Sequence, residues 1–530
     1  MKRPNLDNLR IGLIAASLSA IGRTLLAAAM LMWPLLVATR PTEFFDTGQY
    51  WWRGRMIVVD ALGLDRDAPS PYHQRIGPMP VVHGFVQTQA SIPSYIGARS
   101  PTFSIFVFLT QQLGTLWLTA AVEALATAAI FYIVWRAAVP KAARWTYLAL
   151  MAVLAALTSL AFFASFAMPD VFAGLGVLIM VALVLHWDRL GRQTRLGLLG
   201  LLAVSLSFAS SHLLLAILLL PVAALLLRRL GASWRTTLVR TAALVAAIGA
   251  AGLCAILIDN SAHALTGIET GAPPFLTARL LADGPGRTYL RRACARQSPY
   301  FLCRFKALPL DNSQDILWSQ QSDSSVFTVS SVPDRFKLEA EQGRFVRDVI
   351  LADPLGVAWA ALRDFTQQLG LFAVIEPLRD PCAMKPTERW SGDFLHVLIV
   401  DADRCGPGQT PLMPRRLLLG LHSVVLMLSA YALWRLAHAR RTPPGLRSGG
   451  PDALDDVDRL LAATSLTVAA IVLNAAICGA LSGPFPRYEA RLIWLLPTLV
   501  LLAGSSLAEP ALARVRGSLS RTAPAKSAMG

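Results

Sequence analysis

Charged residues are scarce in this chain. Asp, Glu, Lys and Arg make up 15% of its 530 residues, 54% are hydrophobic, and the mean hydropathy is +0.50. A soluble globular domain has about 25% charged residues. The scarcity excludes a soluble globular protein, and we predict an all-α polytopic membrane protein.

Several motifs of soluble enzymes are absent. The sequence has no P-loop, no G-x-G-x-x-G fingerprint and no H-E-x-x-H pattern, so neither nucleotide chemistry nor zinc-peptidase chemistry has support. It has no nucleic-acid-binding motif either, so a nucleic acid is not an expected partner despite the net charge of +16. No internal repeat is visible, which argues against a transporter built from inverted halves.

Long apolar runs are abundant instead. A run of about 17–25 apolar residues spans the hydrocarbon core as a helix, and we expect about ten such spans. The shortest lies at 196–210 and is compatible with one arm of a helical hairpin. The predicted spans are 18–39, 115–136, 145–163, 171–187, 196–210, 212–228, 240–258, 416–435, 459–480 and 491–508.

The distribution of Lys and Arg predicts the orientation of these spans. With the amino terminus inside, most basic residues fall in inner segments, and the three short outer turns hold only Arg487 and Arg491. This asymmetry follows the positive-inside rule. We therefore predict a multi-pass protein of the cell inner membrane with both termini in the cytoplasm.

The same topology divides the chain into four parts. Two outer segments are large, and the second shows helical periodicity over 336–351 and 354–371, with charges on one face. The predicted parts are an N-terminal membrane core 1–258 that includes the outer loop 41–102, a mixed extracytoplasmic loop domain 259–413, C-terminal spans 414–508 and a disordered basic tail 509–530.

The six cysteines fall into two groups. Cys254 and Cys478 lie in apolar spans and are expected to be small core residues. The other four lie in the outer loop, where an oxidising compartment favours two disulfides. A metal site is the alternative, but no C-x-x-C spacing supports it. Nearest neighbours would pair as Cys294–Cys303 and Cys382–Cys405, one of three possible connectivities.

Ionisable residues gather where predicted spans reach the outer side. Asp46 lies in an aromatic stretch after the first span, Asp170 in the turn before the fourth, and His212 in the turn before the sixth. Arg487 and Arg491 flank the start of the last span. Such groups in apolar surroundings are candidates for a functional site.

Each of these residues has a structural alternative. Asp170 could be a helix N-cap, and His212 an ordinary helix-turn residue. Arg487 and Arg491, four residues apart, could anchor to lipid headgroups. Tyr50 and its neighbouring tryptophans could stack on a sugar or belong to an interfacial aromatic belt.

An acid after the first span, a second acid in the next outer turn and a late Arg-Tyr-x-x-Arg resemble the GT-C superfamily of integral-membrane glycosyltransferases. The likeness is closest to the bacterial protein mannosyltransferase-like and aminoarabinose transferase-like branch. Asp46 and Asp170 match the two acids, and 487–491 matches the basic motif. The chain departs from the family where Thr47, and not a second acid, follows Asp46.

The resemblance implies transfer of a sugar from a polyprenyl-phosphate carrier to a glycan, lipid or protein acceptor at the membrane. Asp46 would be the general base, with Asp170 orienting the substrate. Cofactors are unknown: a divalent metal is conceivable in such an enzyme, but the sequence does not support one. The implied phosphate- and substrate-binding residues are Arg99, Arg487, Arg491, Tyr488, His212 and Tyr50.

The sequence is also compatible with two other functional classes. One is a transporter or flippase of lipid-linked glycans, which would place charges in the middle of spans, whereas here they are expected at span ends. The other is a non-enzymatic membrane assembly protein whose outer loop domain binds a partner.

Overall fold

The structure is a computed structural model, and it describes residues 6–38, 46–64, 81–82, 85–86, 97–319, 323–374, 415–439 and 451–505. Within these ranges the chain is mostly helical, as predicted. A two-residue antiparallel pair joins Val81–Val82 to Phe85–Val86.

The helices are numbered in chain order. A π-helical turn, Met56–Asp60, continues α3, and short 3-10 turns cover Trp187–Arg189 and Phe301–Phe305. The helices are α1 (Leu6–Leu31), α2 (Trp33–Ala38), α3 (Thr47–Arg55), α4 (Pro101–Ala138), α5 (Trp145–Leu157), α6 (Leu160–Ala164), α7 (Asp170–Leu185), α8 (Arg192–Ser207), α9 (Ser210–Arg229), α10 (Trp234–Thr266), α11 (Phe275–Asp283), α12 (Pro285–Ala295), α13 (Ser313–Trp318), α14 (Val332–Ala352), α15 (Pro354–Leu369), α16 (Arg415–Ala439), α17 (Pro451–Leu481), α18 (Arg487–Ile493) and α19 (495–505).

Five helices in the described part of the chain are long and apolar enough to cross a membrane. Every predicted span overlaps a helix, but shorter apolar helices such as Asp170–Leu185 fall below the length of a full span. The count of about ten therefore stays a prediction. The five long segments are Pro101–Ala138, Ser210–Arg229, Trp234–Thr266, Arg416–His438 and Asp456–Leu481.

Helix α7 is the centre of the main hydrophobic core. All of its residues are buried, and Asp170 at its first position is its one ionisable residue. A helix that is apolar on every side is expected where other helices surround it. Its first turn therefore lies inside the protein.

Helix α4 begins at a capped turn and is kinked within. The Ser100 hydroxyl accepts a hydrogen bond from the Phe103 amide at 3.2 Å, and Pro101 stands at the first helical position. At Gly114 and Thr115 the backbone leaves helical geometry, with a φ of 66° at Thr115. The kink separates a first arm from the predicted span 115–136.

A second, smaller core lies between residues 278 and 349. It is built from α11 to α14 and includes the aromatic side chains of Tyr300, Phe327 and Phe345. This unit falls within the predicted extracytoplasmic domain, whose boundaries stay a prediction.

A disulfide joins Cys294 and Cys303 beside this core, which is one of the two pairings predicted from nearest neighbours. Cys382 and Cys405 lie outside the described residues. Cys478 is free and buried, in agreement with a core residue, whereas Cys254 is free and exposed. The core interpretation of Cys254 is wrong, because its side chain lies on the outward face of α10.

Candidate functional site

Two arginines converge on one carboxylate at the start of α3. Asp46 accepts a hydrogen bond from Nη2 of Arg99 at 2.5 Å and from Nη2 of Arg487 at 3.1 Å. All three side chains are 13% exposed. We call these three residues the Asp46 cluster; it carries one positive charge in excess.

Helix α3 holds Arg99 in place. The Arg99 Nε donates to the Gln49 side chain at 2.6 Å. Arg53, only 1% exposed, donates to the Gly97 carbonyl at 2.8 Å, to the Arg99 carbonyl and to Asp259. The backbone of Arg99 and its guanidinium are thus both fixed from the same helix.

Arg487 is held from the other side of the site. It begins α18, directly after the turn 482–486. The side chain of Gln368 accepts from the Phe485 amide at 2.7 Å and donates to the Phe485 carbonyl at 3.0 Å. The Tyr488 ring lies 5.2 Å from the Arg487 guanidinium and 5.4 Å from that of Arg491.

A second group of polar residues surrounds Arg491, one helical turn along α18 from Arg487. Arg491 donates to Asp170 at 3.2 Å and to the Asn474 side chain at 2.8 Å, and Asn474 donates to Glu489 at 2.8 Å. Each of these four residues is at most 4% exposed. We call them the Asp170 cluster; with two acids and one arginine, its acids outnumber its bases.

Close helix packing brings the two clusters together. A Cβ atom at Gly174 would lie 2.3 Å from the Trp494 ring and 3.0 Å from the Arg491 carbonyl, so only glycine lets α18 approach α7 this closely. The Thr47 hydroxyl donates to the Ala167 carbonyl at 3.1 Å and ties the start of α3 to the turn before Asp170.

The charge of Asp46 is set by opposing effects. Burial acts to raise the pKa of Asp46, but the charges of Arg99 and Arg487 and the hydrogen bond from Arg487 act against it. The net result is a pKa below the usual 3.8. Asp46 is therefore ionised at neutral pH.

The structure distinguishes between the predicted binding residues. Arg99 and Arg487 are in the Asp46 cluster, whereas the Nη atoms of Arg491 are taken up by Asp170 and Asn474. Asp170 is not an N-cap, because Pro169 occupies that position, although an acid in the first turn still favours the helix dipole.

Tyr50 and His212 are buried. Tyr50 is 5% exposed, and its ring packs edge-to-face on Phe103 with centroids 4.9 Å apart. This burial favours a packing role over sugar stacking or an exposed aromatic belt. His212 is 1% exposed, and its Nδ1 lies 3.1 Å from the Ser205 carbonyl. This contact agrees with a helix-turn role.

The sequence pattern does not predict three residues that contribute to the site, nor the buried acid Glu123. Gln49 and Arg53 follow Asp46 on the same helix, and Asn474 is a polar residue in an otherwise apolar span. Glu123 is the only acid within the ten predicted spans. It is fully buried, and among the described residues neither of its carboxylate oxygens has a hydrogen-bond partner. The expectation that charges gather at span ends is wrong for Glu123.

The Asp46 cluster does not fit a divalent cation. Two arginines face the Asp46 carboxylate and repel a second cation. The next residue, Thr47, is fully buried and donates its proton to a carbonyl, which an ionised acid cannot do. Within the described ranges, no three His, Cys, Asp or Glu residues form a candidate metal site.

Comparisons with known proteins return no relative. No protein-family model, no curated protein and no solved structure matches this chain.

Proposed function

We propose that the chain is an integral-membrane glycosyltransferase that moves a sugar from a polyprenyl-phosphate carrier to an acceptor on the extracytoplasmic face. The Asp46 cluster is the observation that carries the proposal. Its two guanidinium groups outnumber the single carboxylate, so the cluster attracts an anion. The planar fork of arginine matches two phosphate oxygens.

The reaction follows from competition for these arginines. A lipid phosphate bound by Arg99 and Arg487 weakens their hold on Asp46. The released carboxylate takes the proton of an acceptor hydroxyl, and the hydroxyl oxygen bonds to the anomeric carbon of the sugar. The bond from that carbon to the phosphate oxygen breaks, and the polyprenyl phosphate leaves with the electron pair.

The Asp170 cluster has a supporting role in this scheme. Both Nη atoms of Arg491 donate to protein acceptors, so we assign it to positioning α18 and not to phosphate binding. Arg487 and Arg491 lie four residues apart on that helix, and the Tyr488 ring lies against both. A fixed Arg491 therefore fixes the direction from which Arg487 reaches Asp46.

The accompanying topology has about ten spans, cytoplasmic termini and an outer loop domain 259–413 in an inner membrane. Its support is the asymmetry of Lys and Arg along the sequence together with the apolar helices.

A transporter or flippase of lipid-linked glycans is the second candidate, and Glu123 favours it. Among the described residues this buried carboxyl inside a predicted span has no hydrogen-bond partner. Such a group is expensive, and such residues often serve ion or proton pathways. In this alternative Glu123, and not Asp46, would be the indispensable acid. An assembly protein would need neither.

Genetic complementation tests these assignments. Deletion of the gene should remove one sugar from the surface glycans, as read by mass spectrometry, and the parental gene should restore it. Asp46→Asn keeps the shape but removes the base, so the transfer rate should fall about 100- to 10,000-fold.

Asp60→Asn is the matched control, because Asp60 lies in the same segment and pairs with Arg55 at 3.1 Å, away from the cluster. It should restore the sugar. Full restoration by Asp46→Asn at normal protein level would overturn the base assignment. A failure of Glu123→Gln together with success of Asp46→Asn would favour transport.

A further inference from the structure

Helix α15 exposes an apolar face in the predicted outer domain. Leu355 is 82% exposed, Trp359 69% and Leu362 49%, and Leu351 at the end of α14 is 74% exposed. Positions 355, 359 and 362 follow the spacing of one helix face. We call these four exposed apolar side chains, three on α15 and Leu351 just before the break at Asp353, the α15 stripe.

The opposite face of α15 is buried and carries two polar side chains, Asp364 and Gln368, beside Ala360. Asp364 is 2% exposed and pairs with Arg279, and Gln368 is fully buried. A helix on the surface of a soluble domain has the reverse arrangement, with its apolar face toward the core and its charges toward water. From 355 to 362 the outward side chains of α15 are apolar, and the exposed Arg363 that follows pairs with Asp283 and Asp364. The inverted polarity of this part of α15 indicates that its outward surroundings are apolar.

The neighbours of α15 place it at the end of a candidate membrane span. A Cβ atom at Gly479, in the last turn of α17, would lie 2.7 Å from the Asp364 carbonyl. Gln368 is bonded to Phe485 in the turn that follows α17. The buried face of α15 is thus fixed to the span end, and the stripe points away from it.

We propose that the α15 stripe is a membrane-binding surface that inserts into the leaflet at this end of α17, with bilayer lipid as its partner. Amphipathic helices bury an apolar face about 5–10 Å into the boundary between headgroups and acyl chains, and Trp is enriched there. The 16 residues of α15 reach roughly 24 Å, less than the roughly 30 Å of the hydrocarbon core, so the helix lies in the leaflet without spanning it.

Photolabelling of the full-length protein in phosphatidylcholine vesicles tests the proposal. Lipids with a diazirine in the acyl chain are irradiated, and adducts are mapped by peptide mass spectrometry. Adducts are expected on 351–362 at a level similar to Ile256 and Leu257, which are exposed on the candidate span α10. Arg347, whose side chain is 67% exposed on the neighbouring helix α14, should stay unlabelled.

A fluorescence measurement with a matched pair of variants gives a second readout. Brominated acyl chains should quench part of the tryptophan emission, including that of exposed tryptophans on candidate spans such as Trp434, and Trp359→Phe should reduce the quenched fraction. Trp318→Phe should not, because Trp318 packs against the core of the outer domain.

The absence of adducts on 351–362, together with unchanged quenching in Trp359→Phe, would overturn the proposal. Cross-links from the stripe to residues 375–414 of the same chain, to a second copy or to another protein would also overturn it, since each names a different occupant.

Discussion

The Asp46 and Asp170 clusters use the same chemical groups in opposite proportion. The first has two arginines and one acid; the second has one arginine, two acids and an asparagine that links them. The Asp46 cluster therefore carries one excess positive charge, whereas the hydrogen bonds of Asn474 connect the members of the Asp170 cluster to one another.

The two clusters also differ in how far their ion pairs are exposed to solvent. The ion pair of Asp46 and Arg487 has side chains that are each 13% exposed, against 5% each for Asp170 and Arg491. A buried pair is strongly destabilised when one partner is removed, whereas a more accessible pair can exchange partners. The comparison supports our proposal that the Asp46 cluster binds the ligand and that the Asp170 cluster is structural.

The largest expected effect is on stability. Arg491→Ala leaves Asp170 buried without its cation, and removal of one partner of a buried pair costs about 3–5 kcal/mol. We expect a clear loss of thermal stability for the purified protein in lipid nanodiscs. Arg487→Ala is the matched control and should cost clearly less than Arg491→Ala, because Arg99 still pairs with Asp46.

Equal losses in the two variants would break the comparison, because the Asp46 cluster would then be as structural as the Asp170 cluster. A small loss for Arg491→Ala would also break the comparison, because the Asp170 cluster would then not be structural.

The sequence predicts features that depend on local residue patterns, but not contacts that depend on tertiary packing. Apolar runs located helices at every predicted span, because lipid and core both select the same side chains. The sequence pattern also identifies Asp46 and Arg487 as ionisable residues at span ends. That they meet could not be read from the sequence, because 441 positions separate them.

The different surroundings of Arg487 and Arg491 could not be predicted from the sequence either. Both lie on one helix four residues apart, and a sequence pattern treats them alike. Their difference arises from Asn474 on α17 and from Gly174 on α7, which bring one arginine into a buried network. Glu123 and the inverted polarity of α15 depend on burial, which periodicity alone does not report.

The next effect concerns affinity for the polyprenyl phosphate. Arg487→Ala removes one charged hydrogen-bond donor, worth about 1.5–3 kcal/mol, so binding of polyprenyl phosphate should weaken by roughly 10- to 150-fold. Arg487→Lys should recover only part of it, because an ammonium lacks the fork. Native mass spectrometry measures the binding, with Arg189→Ala as a control, since Arg189 pairs with Asp456 on the predicted inner side. Unchanged affinity in Arg487→Ala would move the phosphate site elsewhere.

The smallest effect is the dependence of stability on pH. The pKa of Asp46 in the folded protein lies below its usual value of 3.8. An acid with a lowered pKa contributes stability above its unfolded pKa and loses that contribution as pH falls through the folded pKa. The difference in melting temperature between the parental protein and Asp46→Asn should thus stay constant from pH 7 to about pH 5 and shrink below pH 3.8. Saturating polyprenyl phosphate should move this loss to higher pH, because the arginines that lower the pKa of Asp46 are then shared with the phosphate. A difference that already shrinks near pH 6 without ligand would mean a raised pKa, and the two arginines would not control Asp46.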